Sequence, residues 1–204
     1  SDVCSSDLLA VQAEDWEDEE EDISFYDLMN PPTPVPDPNA TPGPTPEPDP
    51  TPEPVLQADG SVLITLTAVG DVTIGRNVQY KGSSIFEKEL ARQNGDFNFI
   101  FRNVKDIFQN DDLSIVNFEG VLADSYSIPS SKKNNDFLFL APPEYAQALP
   151  NAGIEVATLE NNHIDDFGSQ GRTDTQNALT AASVLWADEY HMAVYETQGL
   201  KVGV

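Results

Sequence analysis

Lysine and arginine are missing before Arg76, and only 10 occur in 204 residues against 35 acidic side chains, a formal net charge of −25. So negative a chain is not built for nucleic acid, whose phosphates must be neutralised by Lys and Arg. No apolar run reaches the roughly 18 residues of a membrane-spanning helix. Cysteine occurs once, as Cys4, and reads as an unpaired thiol or as leader material. The charge is unevenly spread. Residues 1–59 carry 16 of the acidic groups, leaving 19 acidic against 10 basic beyond them, a net −9. The acidity belongs mainly to a tail, and it suits solubility and cation binding.

The first eight residues, SDVCSSDL, read as a translated sequencing adapter and are set aside from fold reasoning. Residues 8–13, LLAVQA, resemble the end of a signal-peptide apolar region. Residues 1–13 are therefore assigned to adapter sequence plus a signal-peptide remnant, and the protein is expected outside the cytoplasm, secreted or tethered at a bacterial surface. Residues 14–22 hold eight acidic side chains around Trp16, a block that repels itself and stays solvated. Between Pro31 and Pro54 lie twelve of the sixteen prolines, which favours an extended, semi-rigid polyproline stalk. Residues 14–58 are thus expected to be a disordered acidic and proline-rich linker. Asn39-Ala40-Thr41 matches a glycosylation sequon, a weak signal in such a segment.

Folded sequence is expected over residues 61–204, enough to bury a core. Val62–Val69, Leu113–Val116 and Ile154–Leu159 are short, apolar and β-branched, as buried parallel strands require. Helical patterns separate them. Ser84-Ile85-Phe86-Glu87 has the form of a capping box, and Asn94-Gly95 ends the helix that it opens. Phe97, Ile100, Phe101, Val104, Ile107 and Phe108 make a core-facing stripe at helical spacing. Pro142-Pro143 can start a helix over residues 144–152 that Gly153 closes. Alternating strand and helix is the pattern of βαβ units. Leu200–Val204 reads as a further strand, so the domain is expected to continue beyond the sequence given.

Each apolar run ends in ligand-type side chains, and sites in α/β sheets assemble at the carboxyl ends of strands. The first runs into Gly70-Asp71, where a turn could present the carboxylate; an ordinary Gly-Asp turn fits equally well. Gly70 and Gly75 have P-loop spacing, but Arg76-Asn77 stands where Lys and Ser or Thr are required, and Asp71 would repel phosphate. The second run places Asn117 and Glu119 two residues apart, on one side of a strand. Their oxygens suit Mn²⁺ or Mg²⁺, and an imidazole widens the choice to Fe and Zn²⁺. The third run ends in Asn161-Asn162-His163, with Asp166 near enough to orient the His163 ring. Asp166-Phe167-Gly168 is no kinase signal, because no Gly-rich loop, strand lysine or HRD segment accompanies it. His191 lies in none of these patterns and reads as structural or surface.

AVGDVTIGR (68–76), DLSIVNFEGVLADS (112–125), FLFLAPPEYAQAL (137–149) and LENNHIDDFGSQGRTDTQNAL (159–179) together resemble the CapA family, the poly-γ-glutamate capsule synthesis proteins. That family is similar to the calcineurin-like metallophosphoesterases. The resemblance implies an α/β sandwich with helices flanking two mixed β-sheets and two divalent metal ions at the strand ends. It makes Asp71 and Asn162 metal ligands, places Glu119 or Asn117, both candidate ligands, near the second metal, makes His163 an acid or phosphate binder, and makes Asp166 the partner of His163. Gly168, Gly171 and Thr175 would shape the loop and start the next helix. Glu160 departs from the family's usual small residue, and Pro150 is expected to kink its helix. The implied activity is a metal-dependent hydrolysis of phosphoester type; the alternative is a non-catalytic capsule-assembly or polymer-binding protein that keeps the fold. A stalked surface protein with an unrelated wall or carbohydrate target is a third reading. Implied partners are polyglutamate or another cell-surface polymer and membrane-bound capsule synthesis proteins. Too few ligand candidates are present for a full dinuclear site, so the sequence given is expected to bind metal weakly.

Overall fold

A computed structural model describes residues 55–134 and 137–204. The leader, the acidic block, the sequon and nearly all of the proline-rich stalk lie outside the described residues. In chain order the strands are β1 (Leu66–Val72), β2 (Arg76–Asn77), β3 (Leu113–Phe118), β4 (Val121–Leu122), β5 (Phe139–Ala141), β6 (Val156–Thr158), β7 (Leu185–Ala187), β8 (Val194–Thr197) and β9 (Leu200–Gly203). The helices are α1 (Ile85–Arg92), α2 (Lys105–Phe108), α3 (Ala148–Ala152) and α4 (Gly168–Ala181).

The main sheet has the order β1-β3-β6-β7 and every pairing in it is parallel. The three strands expected from the apolar runs are therefore parallel neighbours; β3 and β6 are buried, whereas β1 lies at the sheet edge and is largely exposed, because only one strand pairs with it. β3 shows why its sequence is mostly apolar on both faces. Val116 and Phe118 enter a core with Leu149, Leu159 and Leu179, while Leu113 and Ile115 pack into a second core on the other face with Val156 and Ala187. A strand covered on both faces has no solvent side to make polar. The second core is closed by the β8–β9 hairpin through Tyr195 and Val202. A smaller mixed sheet, β2-β5-β4, pairs β2 antiparallel and β4 parallel to β5. The described chain is thus α/β with one parallel sheet, one mixed sheet and the two-stranded antiparallel β8–β9 sheet.

Several boundaries differ from the sequence expectation. The first strand begins four residues later and runs on through Gly70-Asp71-Val72, so Asp71 lies inside β1 rather than in a turn beyond it. The β1–β3 register slips between Val69 and Asp71, making Gly70 the extra residue of a bulge. The stripe from Phe97 to Phe108 is no single helix. Phe97–Ile100 is a 3₁₀ turn and α2 is one short turn, with Phe101 and Phe108 buried but Ile107 exposed. The segment after Pro142 also divides, into a 3₁₀ turn over Pro143–Gln147 and then α3. Pro150 sits in the first turn of α3, where a missing N–H costs no interior helix bond. The α1 capping box forms as written, with Ser84 Oγ accepting the Glu87 N–H and Glu87 Oε2 accepting the Ser84 N–H. Leu200–Gly203 is a strand, but it pairs antiparallel with β8.

Candidate active site

The carboxyl ends of β1, β3 and β6 bring one constellation together. Asp71 lies opposite Asn117 in the β1–β3 register, and Asn117 lies opposite Thr158 of β6. Asn117 Nδ2 donates to Asp71 Oδ1 at 2.7 Å. Asn161 Nδ2 donates to Asn117 Oδ1 at 3.0 Å and to the Phe118 carbonyl at 2.8 Å. Asn161 Oδ1 accepts the N–H groups of His163 and Ile164 at 3.0 and 3.1 Å, an Asx-type turn that fixes where the imidazole begins. The bulge at Gly70 brings Asp71 to the head of this chain of amides.

His163 is held from two sides. Its Nδ1 is 2.9 Å from Asp166 Oδ2, and its ring stacks 4.5 Å from Phe139. Asp166 is wholly buried; it also accepts the Phe139 N–H at 2.9 Å and the Lys132 ammonium at 3.1 Å. A carboxylate with two such donors stays an acceptor, so it takes the Nδ1–H of His163 and leaves Nε2 for the site. Nε2 points toward Glu119, whose Oε1 is 3.7 Å away and whose Oε2 accepts the Thr73 hydroxyl at 3.0 Å.

The structure therefore gathers Asp71, Asn117, Glu119, His163 and Asp166. Asn162 is exposed, and its contribution among the described residues is a carbonyl that accepts Lys132 Nζ at 3.1 Å; its neighbour Asn161 occupies the network. Asn161 and Lys132 were not singled out from sequence. Asn-Asn leaves two candidates on adjacent residues, and only the turn decides which side chain points inward. Lys132 lies about thirty residues away, at the end of the 3₁₀ turn Ser130–Lys132, and carries no local signal.

Glu160 turns away, toward Arg172 at 3.5 Å, beside the paired Arg172–Asp165 contacts at 3.1 and 3.0 Å. Hydrogen bonding to Arg172 holds the Asp165 carboxyl below its ordinary range against the opposing effect of burial. Gly168 opens α4, Gly171 packs against Val121, and Thr175 Oγ1 accepts the Leu122 N–H at 3.0 Å, which fixes α4 to β4. His191 is exposed, stacked 4.2 Å from Trp186, with Nδ1 2.9 Å from the Trp186 carbonyl.

As a metal centre this donor set is incomplete. Among the described residues no three His, Cys, Asp or Glu side chains gather closely enough to hold an ion. Both inward amide oxygens, those of Asn117 and Asn161, already accept hydrogen bonds. The residues present do not close a dinuclear site.

Residues 65–204 match the family described as bacterial capsule synthesis protein PGA_cap. The chain is also 32% identical over 123 residues to the capsule biosynthesis protein CapA of Bacillus anthracis, a stretch covering 59% of this chain and 27% of that protein. The matched stretch is thus well under two thirds of the relative's length. With the family match spanning most of the chain, and with the strand-end constellation lying inside it, the chain belongs to the bacterial capsule synthesis family PGA_cap, of the general metallophosphoesterase kind.

Proposed function

We propose that this chain carries the acid–base half of a hydrolytic site of phosphoester type, used outside the cytoplasm in capsule synthesis. The observation that supports this reading most is the His163–Asp166 pair, locked at 2.9 Å by a buried carboxylate and aimed at a strand-end cluster. In this reading Asp166 holds the ring in one tautomer. His163 Nε2 takes a proton from an attacking water as general base, or once protonated gives one to a leaving oxygen. Glu119 steadies the protonated imidazole. A divalent ion in the whole protein would be held through the Asp71 and Glu119 carboxylates with donors beyond those described, and it would supply Lewis acidity. Capsule polymer such as polyglutamate and membrane-bound capsule synthesis proteins are the proposed partners, on the strength of the match to the capsule synthesis family.

The hydrogen-bonded amides of Asn117 and Asn161 favour a second reading, a polymer-binding capsule-assembly protein that uses the network as a structural clamp. One experiment separates the two. Purified protein is loaded with Mn²⁺ or Zn²⁺ and assayed on chromogenic phosphomonoesters and diesters, with bound metal measured in parallel. Catalysis predicts that His163→Ala lowers turnover by about 10²–10⁴-fold and that Asp71→Ala loses metal. Metal-loaded protein that hydrolyses no ester, with Asp71→Ala keeping its metal, overturns the hydrolase reading.

A further inference from the structure

A cavity of about 330 Å³ lies against the small β2-β5-β4 sheet, and nothing in the proposed chemistry uses it. Phe139 of β5 packs on His163, whereas its neighbour Leu140 lines this cavity.

Three aromatic rings line it, each fixed by a further ring. Phe86 and Tyr145 lie 5.9 Å apart, Tyr145 lies 5.1 Å from Phe97, and Tyr126 lies 4.9 Å from the buried Phe167. The charged lining is Arg76, Glu87 and Asp124. Arg76 and Glu87 neutralise each other at 3.1 Å, and the second Glu87 oxygen is occupied by the α1 cap at 2.7 Å. Asp124 is exposed and has no hydrogen-bonding or ionic partner among the described residues. The cavity therefore carries one uncompensated negative charge beside aromatic rings. Apolar floor, rigid rings and one free carboxylate are the elements that select an ammonium group on an apolar stem.

We propose that this cavity is a binding site for a small organic amine, seated between Phe86, Tyr126 and Tyr145 with its ammonium countered by Asp124. The site is independent of whether the His163 centre hydrolyses anything. The test is to titrate the purified chain with phenethylamine, phenethyl alcohol and hydrocinnamate, which share a ring and stem and differ in charge. Calorimetry or side-chain NMR reads the binding. Expected are saturable single-site binding of the amine, alcohol and acid weaker by at least about tenfold, and a loss of about tenfold for the amine in Asp124→Asn. Asp124 is exposed, so that variant is expected to fold, and circular dichroism checks it. Tyr126→Leu, which alters an aromatic wall and no charge, is expected to weaken all three ligands. The proposal is overturned by absence of saturable amine binding, by equal or tighter binding of the alcohol or acid, or by unchanged amine affinity in Asp124→Asn.

Discussion

At the scale of single residues, Asp166 shows how a buried charge organises its neighbours. It has no exposed surface and is held by Lys132, His163 and the Phe139 N–H. Removing it leaves Lys132 with only the Asn162 carbonyl and takes the acceptor from the part-buried Phe139 N–H. Asp166→Ala is expected to cost about 3 kcal/mol, read as a lower urea midpoint, and to free the His163 ring in NMR spectra. Gly75 is a second such residue. Its φ is +102°, and a Cβ there would lie 2.3 Å from the Leu140 carbonyl oxygen where β2 meets β5. Gly75→Ala is expected to destabilise by about 2 kcal/mol in a thermal melt. The importance of Asp166 was readable from its place three residues after His163; that of Gly75 was not, because its constraint comes from a strand more than sixty residues away.

At the scale of elements, local rules held where local chemistry suffices. The α1 box is written in four consecutive residues, and Ser84→Ala is expected to cost about 1 kcal/mol by removing an acceptor from the first turn. The segment from Phe97 to Phe108 behaved otherwise. Its apolar spacing fits a helix, yet Asp96 accepts the Asn98 N–H in a local cap and the chain breaks into short turns that fold Phe101 and Phe108 edge to face, 6.2 Å apart, into one core. At the amino end of the main sheet, Glu155 Oε2 accepts the Ser114 N–H at 2.7 Å, while burial and then Asp111 raise its carboxyl pKa against the effect of that bond. A carboxyl raised on folding contributes stability that is present below its unfolded pKa and is lost as pH rises through the folded value. Glu155→Gln keeps the acceptor and removes the charge. It is expected to raise the melting temperature at neutral pH, with the difference from wild type vanishing in acid.

At the scale of the whole molecule, the opposite sign belongs to Asp165. Its carboxyl pKa is depressed by Arg172, so its contribution is present above the unfolded value and is lost as pH falls through the folded one. Melting followed from neutral to acid pH should therefore separate a loss that Asp165→Asn removes from a gain that Glu155→Gln removes. The same scale governs metal. With no three acidic or imidazole ligands gathered among the described residues, the chain is expected to bind Mn²⁺ or Zn²⁺ weakly in calorimetry. Binding through Asp71 and Glu119 should fall further in Asp71→Ala. Tight binding that survives this change would remove Asp71 from the ligand set.

Sequence by itself determined what depends on neighbours along the chain. Apolar β-branched runs made the three parallel strands, although only β3 and β6 are buried and β1 is an exposed edge strand; the capping box opened α1, and polar residues at the run ends marked the edge where a site assembles. The order of four motifs was enough to point to the family. Tertiary structure alone decided what depends on contacts across the sheet. The Gly70 bulge kept Asp71 within β1, and register set Asp71 against Asn117. The turn at Asn161 chose that side chain over Asn162, and Lys132 reached Asp166 from a 3₁₀ turn thirty-four positions earlier. Spacing records which side chains can share a face. Which of them meet is set by strand register and loop closure, which no single segment encodes.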